Sequence, residues 1–173
     1  LTTAMTNFWS LDLSKRHQPD EFVWESRTPW PGPSRAFNMT VHQHNGFNPC
    51  VYVMSGRRQN DENLQSIEFL KDVWEYTPAS DSWRRRSDSP RCVMAGTAFE
   101  SGHSHILVLG GADGSLFFQG DILRENHPGF PKEALAYHTI TDTWSTAGEI
   151  PENHVTTIAT HWDGALIIPT GEV

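Results

Sequence analysis

"DVWEYTPASDSW" occupies residues 72–83, and "ALAYHTITDTW" occupies residues 134–144. In each, a tyrosine (Tyr76 or Tyr137) precedes a tryptophan (Trp83 or Trp144) by seven residues. A related stretch, "FWSLDLSKRHQPDEFVW", fills residues 8–24. There Leu11 takes the tyrosine's place and Trp24 follows thirteen residues on, across an insertion of about six residues around "KRHQPD". The tryptophans are 59 and 61 residues apart. A second landmark keeps this beat: "CVYVMSG" ends at Gly56, "HILVLGG" at Gly111 and "GALIIPTG" at Gly171, in steps of 55 and 60. A third precedes it, as "PSRAFNMTV", "SPRCVMAGTAF" and "PENHVTTIA".

A repeat of this length decides the architecture before any single element does. Each unit reads as four short strands. Strand a follows the proline corner, strand b is the apolar run ending in glycine, strand c carries the Trp or Tyr, and strand d ends near the Trp. One such sheet cannot bury both of its faces, but radial stacking against its neighbours can. The tryptophan is expected to pack between adjacent sheets, where a large aromatic buries much apolar area. A β-sandwich does not suit the 55–61-residue beat. The expected fold is therefore an all-β propeller of four-stranded blades. Residues 1–34 supply strands c and d, 35–83 and 84–144 supply full blades, and 145–173 supply strands a and b. That is about three blades' worth, whereas a closed propeller needs roughly four to eight. The chain thus reads as part of a longer protein, with the rest of the ring coming from the same parent chain or a second copy.

Composition agrees. Gly and Pro make up 13 and 11 of the 173 residues, as expected for many short strands joined by turns. Hydrophobic content is 37%, but 7 Trp and 9 Phe supply large buried area. The net charge of −8 argues against a nucleic-acid surface and against anionic membranes, which need a basic face. No apolar run approaches a membrane span. Cys50 and Cys92 lack metal-site spacing and read as two buried thiols, with a disulfide as the alternative.

"LVLGG", followed by an aromatic seven residues before a Trp, resembles the kelch family, and the resemblance runs along nearly the whole chain. The ending "IIPTGEV" has a narrower likeness. It resembles the kelch-type sialic acid mutarotases (N-acetylneuraminate epimerases), in which an apolar strand ends in a Gly-Glu pair and the Glu is the proposed proton acceptor. Gly171 and Glu172 match that pair. The family motif continues through Pro-Gly-x-Arg-Thr, so its partner arginine is not assigned here. "FWSLDL" and "SGR" are similar to segments of a cyclically permuted branch found in gut bacteria. The resemblance implies a parent of six blades, a periplasmic or secreted location, a small acidic sugar as ligand, and no metal or organic cofactor.

Strands a and b are antiparallel neighbours, so the start of a and the end of b share one face of the disc. Arg35, Arg91 and His154 are expected to open the three a strands, and Arg57, Ala112 and Glu172 to follow the strand-b glycines. Both sets should ring one mouth of the central funnel. Arginine pairs bidentately with carboxylates, and a glutamate there can serve as general base. By resemblance Glu172 is the base. By position Arg57 and Arg35 are the first expectations for carboxylate contact, with Arg91 and His154 beside them. The Arg that opens strand a also has a structural reading, as a blade-to-blade hydrogen bonder. Asp113, in "GGADG", could bind hydroxyls or simply form a turn. The pairs His42/His44 and His103/His105 read as turn chemistry rather than metal ligands. "QGDILRENHPGFPKE", between strands b and c, could wall the site or be a plain surface loop. The functional alternatives are a non-catalytic kelch module that binds protein or carbohydrate and, more weakly, a kelch-type copper oxidase.

Overall fold

The computed structural model describes residues 4–59, 66–169 and 171–172. Its strands are β1 (Trp9–Leu11), β2 (Trp24–Ser26), β3 (Met39–His44), β4 (Pro49–Met54), β5 (Arg57–Gln59), β6 (Ile67–Phe69), β7 (Val73–Thr77), β8 (Ser82–Arg86), β9 (Thr97–Ser101), β10 (His105–Leu109), β11 (Glu133–His138), β12 (Thr143–Glu149), β13 (Thr160–Trp162) and β14 (Ala165–Ile167). One short helix, α1 (Gly120–Leu123), lies between β10 and β11. Two four-stranded antiparallel sheets dominate, ordered β3-β4-β7-β8 and β9-β10-β11-β12. The pairs β1-β2 and β13-β14 flank them in the chain, and β5-β6 forms a separate hairpin. The architecture is a partial all-β propeller in which the two four-stranded sheets are the complete blades.

The tyrosine-to-tryptophan spacing has a direct cause. Leu11, Tyr76 and Tyr137 stand directly opposite Trp24, Trp83 and Trp144 across the last strand pair of each unit. In two units this pair builds a clasp on the preceding one. Tyr76 donates its hydroxyl to Asp81, which accepts from the Thr28 amide, and Trp83 Nε1 donates to the Thr28 carbonyl at 2.9 Å. One blade on, Tyr137 donates to Asp142, Asp142 accepts from the Ser87 amide at 2.8 Å, and Trp144 Nε1 donates to the Ser87 carbonyl at 3.1 Å. Asp81 and Asp142 both adopt left-handed backbone, with φ of 45° and 59°, which Asp tolerates better than most residues. Trp144→Phe keeps the ring against Tyr137 but removes the donor. It should destabilise the protein by about 1 kcal/mol, read as a lower denaturation midpoint with an unchanged denaturant slope.

The core lies between the two complete blades. Met39, Val41, Tyr52, Met54 and Val73 of one face Val93, Ile106, Val108, Leu135 and Tyr137 of the other. Burial alternates along β3, as a strand with one solvated face requires, whereas β11 is buried on both faces. The outermost strand, β12, is almost wholly exposed. Glu75 is 1% exposed within this packing, and its carboxylate accepts from Asn45, Tyr52 and Arg84. Both cysteines are free and buried, as the thiol reading expects. No helix among the described residues is long and apolar enough to cross a membrane.

The extended strands begin later than the proline corners alone indicate, at Met39, Thr97 and Thr160. The β5-β6 hairpin is a second insertion between strands b and c, unmarked in the sequence pattern.

Candidate functional site

Between each corner and its extended strand the backbone repeats one small construction. Ala36 pairs with Arg57, Met94 with Ala112, and Val155 with Glu172, each as an isolated antiparallel bridge. The following residues, Phe37, Ala95 and Thr156, all take left-handed backbone, with φ of 59°, 51° and 61°. Consecutive units are tied through these same residues. The Ala95 amide donates to the Phe37 carbonyl at 3.0 Å, and the Thr156 amide donates to the Ala95 carbonyl at 2.9 Å. Arg57, Ala112 and Glu172 are therefore equivalent positions on successive blades, in that order along one rim. The glycine before each is needed for close approach. A Cβ on Gly56 would lie 2.6 Å from the Ala36 carbonyl oxygen, and one on Gly171 would lie 2.5 Å from that of Val155.

The same bridges correct the other expected set. Arg35, Val93 and His154 immediately precede the bridge residues, so Val93, not Arg91, stands in register with Arg35 and His154. Arg91 lies two residues earlier. Its guanidinium donates to the Gly110 and Glu133 carbonyls, at 3.3 and 3.0 Å. Arg35 is buried and donates twice to Asp72, at 2.8 and 2.6 Å, and once to the Ser55 carbonyl at 2.9 Å. Trp30 covers its face. Both arginines are thus committed within the fold, as the blade-to-blade reading of their position allows. Burial pushes the Asp72 carboxyl up, but hydrogen bonds from Arg35 and Trp74 outweigh it and hold the group below its ordinary value.

Arg57 is different. Its guanidinium carbon lies over the rings of Phe37 and Phe117, 4.9 and 4.7 Å from their centroids. Buried Nη1 has no hydrogen-bond partner among the described residues. A guanidinium held over aromatic rings keeps its in-plane N–H donors for bonding, and these match a carboxylate. Glu172 is exposed, and its backbone is fixed by two hydrogen bonds to Val155, at 2.9 and 3.1 Å. His154 is half-buried, with Nδ1 unpartnered among the described residues. Asp113 accepts from both the amide and the hydroxyl of Ser115, at 2.9 and 2.7 Å, which is the turn geometry. Burial raises its pKa, but the Ser115 bonds and nearby Arg91 prevail and lower it.

The β10–β11 insertion walls a cleft of about 600 Å³ lined by Ala112, Phe117, Arg124, His127 and Phe130 among others. It is joined to the β5-β6 hairpin through Phe69, whose ring meets Phe117 and Phe118 edge-on. A Cβ on Gly114 would lie 2.5 Å from that ring. The histidine pairs do not converge. His44 Nδ1 accepts from the Gly46 amide, His105 stacks edge-on against His138, and His42 faces a separate groove with Glu100 and His161. Among the described residues no three His, Cys, Asp or Glu side chains are grouped to hold a metal.

No protein-family model matches the chain. Among curated proteins it is similar to the N-acetylneuraminate epimerase of Salmonella arizonae, 26% identical over 87% of this chain and 42% of that protein. The N-acetylneuraminate epimerase of Pasteurella multocida is 27% identical over 99% of this chain and 48% of its own length. The solved structure titled "Structure of YjhT" superposes with a TM-score of 0.74 at 21% identity, covering 96% of this chain and 52% of that one. The chain therefore spans about half the length of the proteins it matches. The chain is thus similar in sequence to proteins named N-acetylneuraminate epimerase, and it shares the fold of that solved structure.

Proposed function

We propose that this chain carries part of the active site of a mutarotase that interconverts the anomers of N-acetylneuraminic acid. The observation that supports it is the bridge register, which sets Arg57 and Glu172 at equivalent positions on one rim. In this reading Glu172 takes the proton of the anomeric hydroxyl while a partner acid protonates the ring oxygen. The bond between the anomeric carbon and the ring oxygen breaks, and a ketone forms. Rotation about the adjacent carbon–carbon bond turns the other carbonyl face toward the hydroxyl. Ring closure returns both protons. Only protons move, so the scheme calls for no redox cofactor. Arg57 holds the sugar carboxylate still, which keeps the anomeric carbon in place through the rotation.

The anionic substrate is compatible with an overall charge of −8, because the attraction is local to Arg57. The rest of the ring, from the parent chain or a second copy, would supply the remaining wall. Arg57→Met in the full-length protein should raise KM for the sugar by about 10- to 100-fold, the cost of removing a charged hydrogen bond. Anomer exchange measured by NMR against substrate concentration checks this. An unchanged KM would remove Arg57 from the site.

A further inference from the structure

Ala112 stands on the rim between Arg57 and Glu172, at the equivalent bridge position. Ala112 also lines the cleft under the β10–β11 insertion. Its apolar walls include Phe117 and Phe130, with Asp113, Ser115, Arg124 and His127 as polar members. The Phe117 ring also lies under the Arg57 guanidinium, so the cleft and that guanidinium share a wall. Several hundred cubic ångströms, mostly apolar with a few polar groups, is the usual character of a small-molecule pocket.

We propose that this cleft receives the acylamino substituent of the acidic sugar and makes the protein selective for N-acylated sugars. The inference rests on the acidic-sugar reading above. Its geometry follows from the ligand. The carboxylate and the reacting hydroxyl are both on the anomeric carbon, so Arg57 and Glu172 address one end of the ring. In N-acetylneuraminic acid the acetamido group is on the ring carbon opposite the anomeric one. A sugar held at the rim by its anomeric end projects that group away from the rim, and the cleft is the space available there. The apolar wall suits the acetyl methyl, and the polar members suit the amide.

The test is calorimetric titration of the full-length protein with two sugars: N-acetylneuraminic acid, and the analogue bearing a hydroxyl in place of the acetamido group. Wild type is expected to prefer the N-acetyl sugar by about tenfold or more, the discrimination a small apolar contact supplies. Phe130→Ala should remove most of that preference by weakening the N-acetyl sugar alone. Phe130→Trp, which narrows the cleft without opening a cavity, should also weaken the N-acetyl sugar and spare the analogue. Equal binding of the two sugars by wild type, or equal effects of both variants on the two sugars, would overturn the cleft assignment while leaving the rim intact. Binding of neither sugar by wild type would overturn the acidic-sugar reading itself.

Discussion

Glu172→Gln in the full-length protein is expected to slow anomer exchange by about 10²- to 10⁴-fold, the range for losing a positioned general base. The substitution keeps the shape of the side chain and removes only its ability to take a proton. The backbone pairing of Glu172 with Val155 does not depend on the side chain, which is exposed. Unfolding should therefore be unaffected, since an exposed isosteric change lies within the ordinary surface range. Sugar affinity should also be nearly unchanged, because Arg57 and the cleft remain. Exchange spectroscopy read beside a thermal melt separates these outcomes. A variant that exchanges at the wild-type rate would mean that another group takes the proton. A variant that binds normally, from a wild type that never exchanged, would favour the non-catalytic carbohydrate-binding alternative.

Arg35→Met should have the largest effect on stability, a loss of about 3–5 kcal/mol. The side chains of Arg35 and Asp72 are 4% and 10% exposed, and their ion pair is bidentate. Removing the cation leaves a buried carboxylate with Trp74 Nε1 as its remaining strong donor. The Ser55 carbonyl loses its Arg35 donor as well. Replacing both Arg35 and Asp72 with apolar residues should cost less than the single change, because no unpaired charge is then buried. The pair also has a pH signature. Asp72 titrates lower in the folded protein than in the unfolded chain. The unfolded state therefore binds more protons as the pH falls, and stability rises with pH across that window. The contribution is complete above the ordinary aspartate value of about 3.9 and is lost as the pH drops through the depressed one. Unfolding midpoints between roughly pH 5 and 2 should fall more steeply for wild type than for Asp72→Asn. Parallel curves would show that the pair contributes nothing to acid sensitivity.

The parts of this fold that could be read from sequence are those that recur because the backbone demands them. Tyr76 and Trp83 keep their spacing because they are cross-strand partners in a clasp, and Tyr137 and Trp144 repeat it. Gly56 and Gly171 recur because a side chain there would strike a carbonyl oxygen. Those landmarks also fixed the equivalence of Arg57, Ala112 and Glu172. The register of Arg91 was not legible in the same way. "PSR" and "SPR" match in residue type, yet two extra residues separate Arg91 from its bridge residue, Met94. The long side chain of Arg91 still reaches the Gly110 carbonyl, which corresponds to the Ser55 carbonyl that Arg35 caps. Side-chain reach thus hides the backbone shift. The meeting of Arg57 with two phenylalanine rings was also invisible, because Phe37 and Phe117 are 80 residues apart in the chain. So was the Phe69 joint between the two insertions. Such contacts depend on how neighbouring blades face one another, which no local pattern encodes.

The most direct test of the central claim is saturation transfer between the two anomers of N-acetylneuraminic acid, measured by NMR with the full-length wild-type protein. The account predicts exchange well above the rate in buffer alone, saturating with sugar concentration. Exchange at the buffer rate, at concentrations where the sugar is bound, would contradict it.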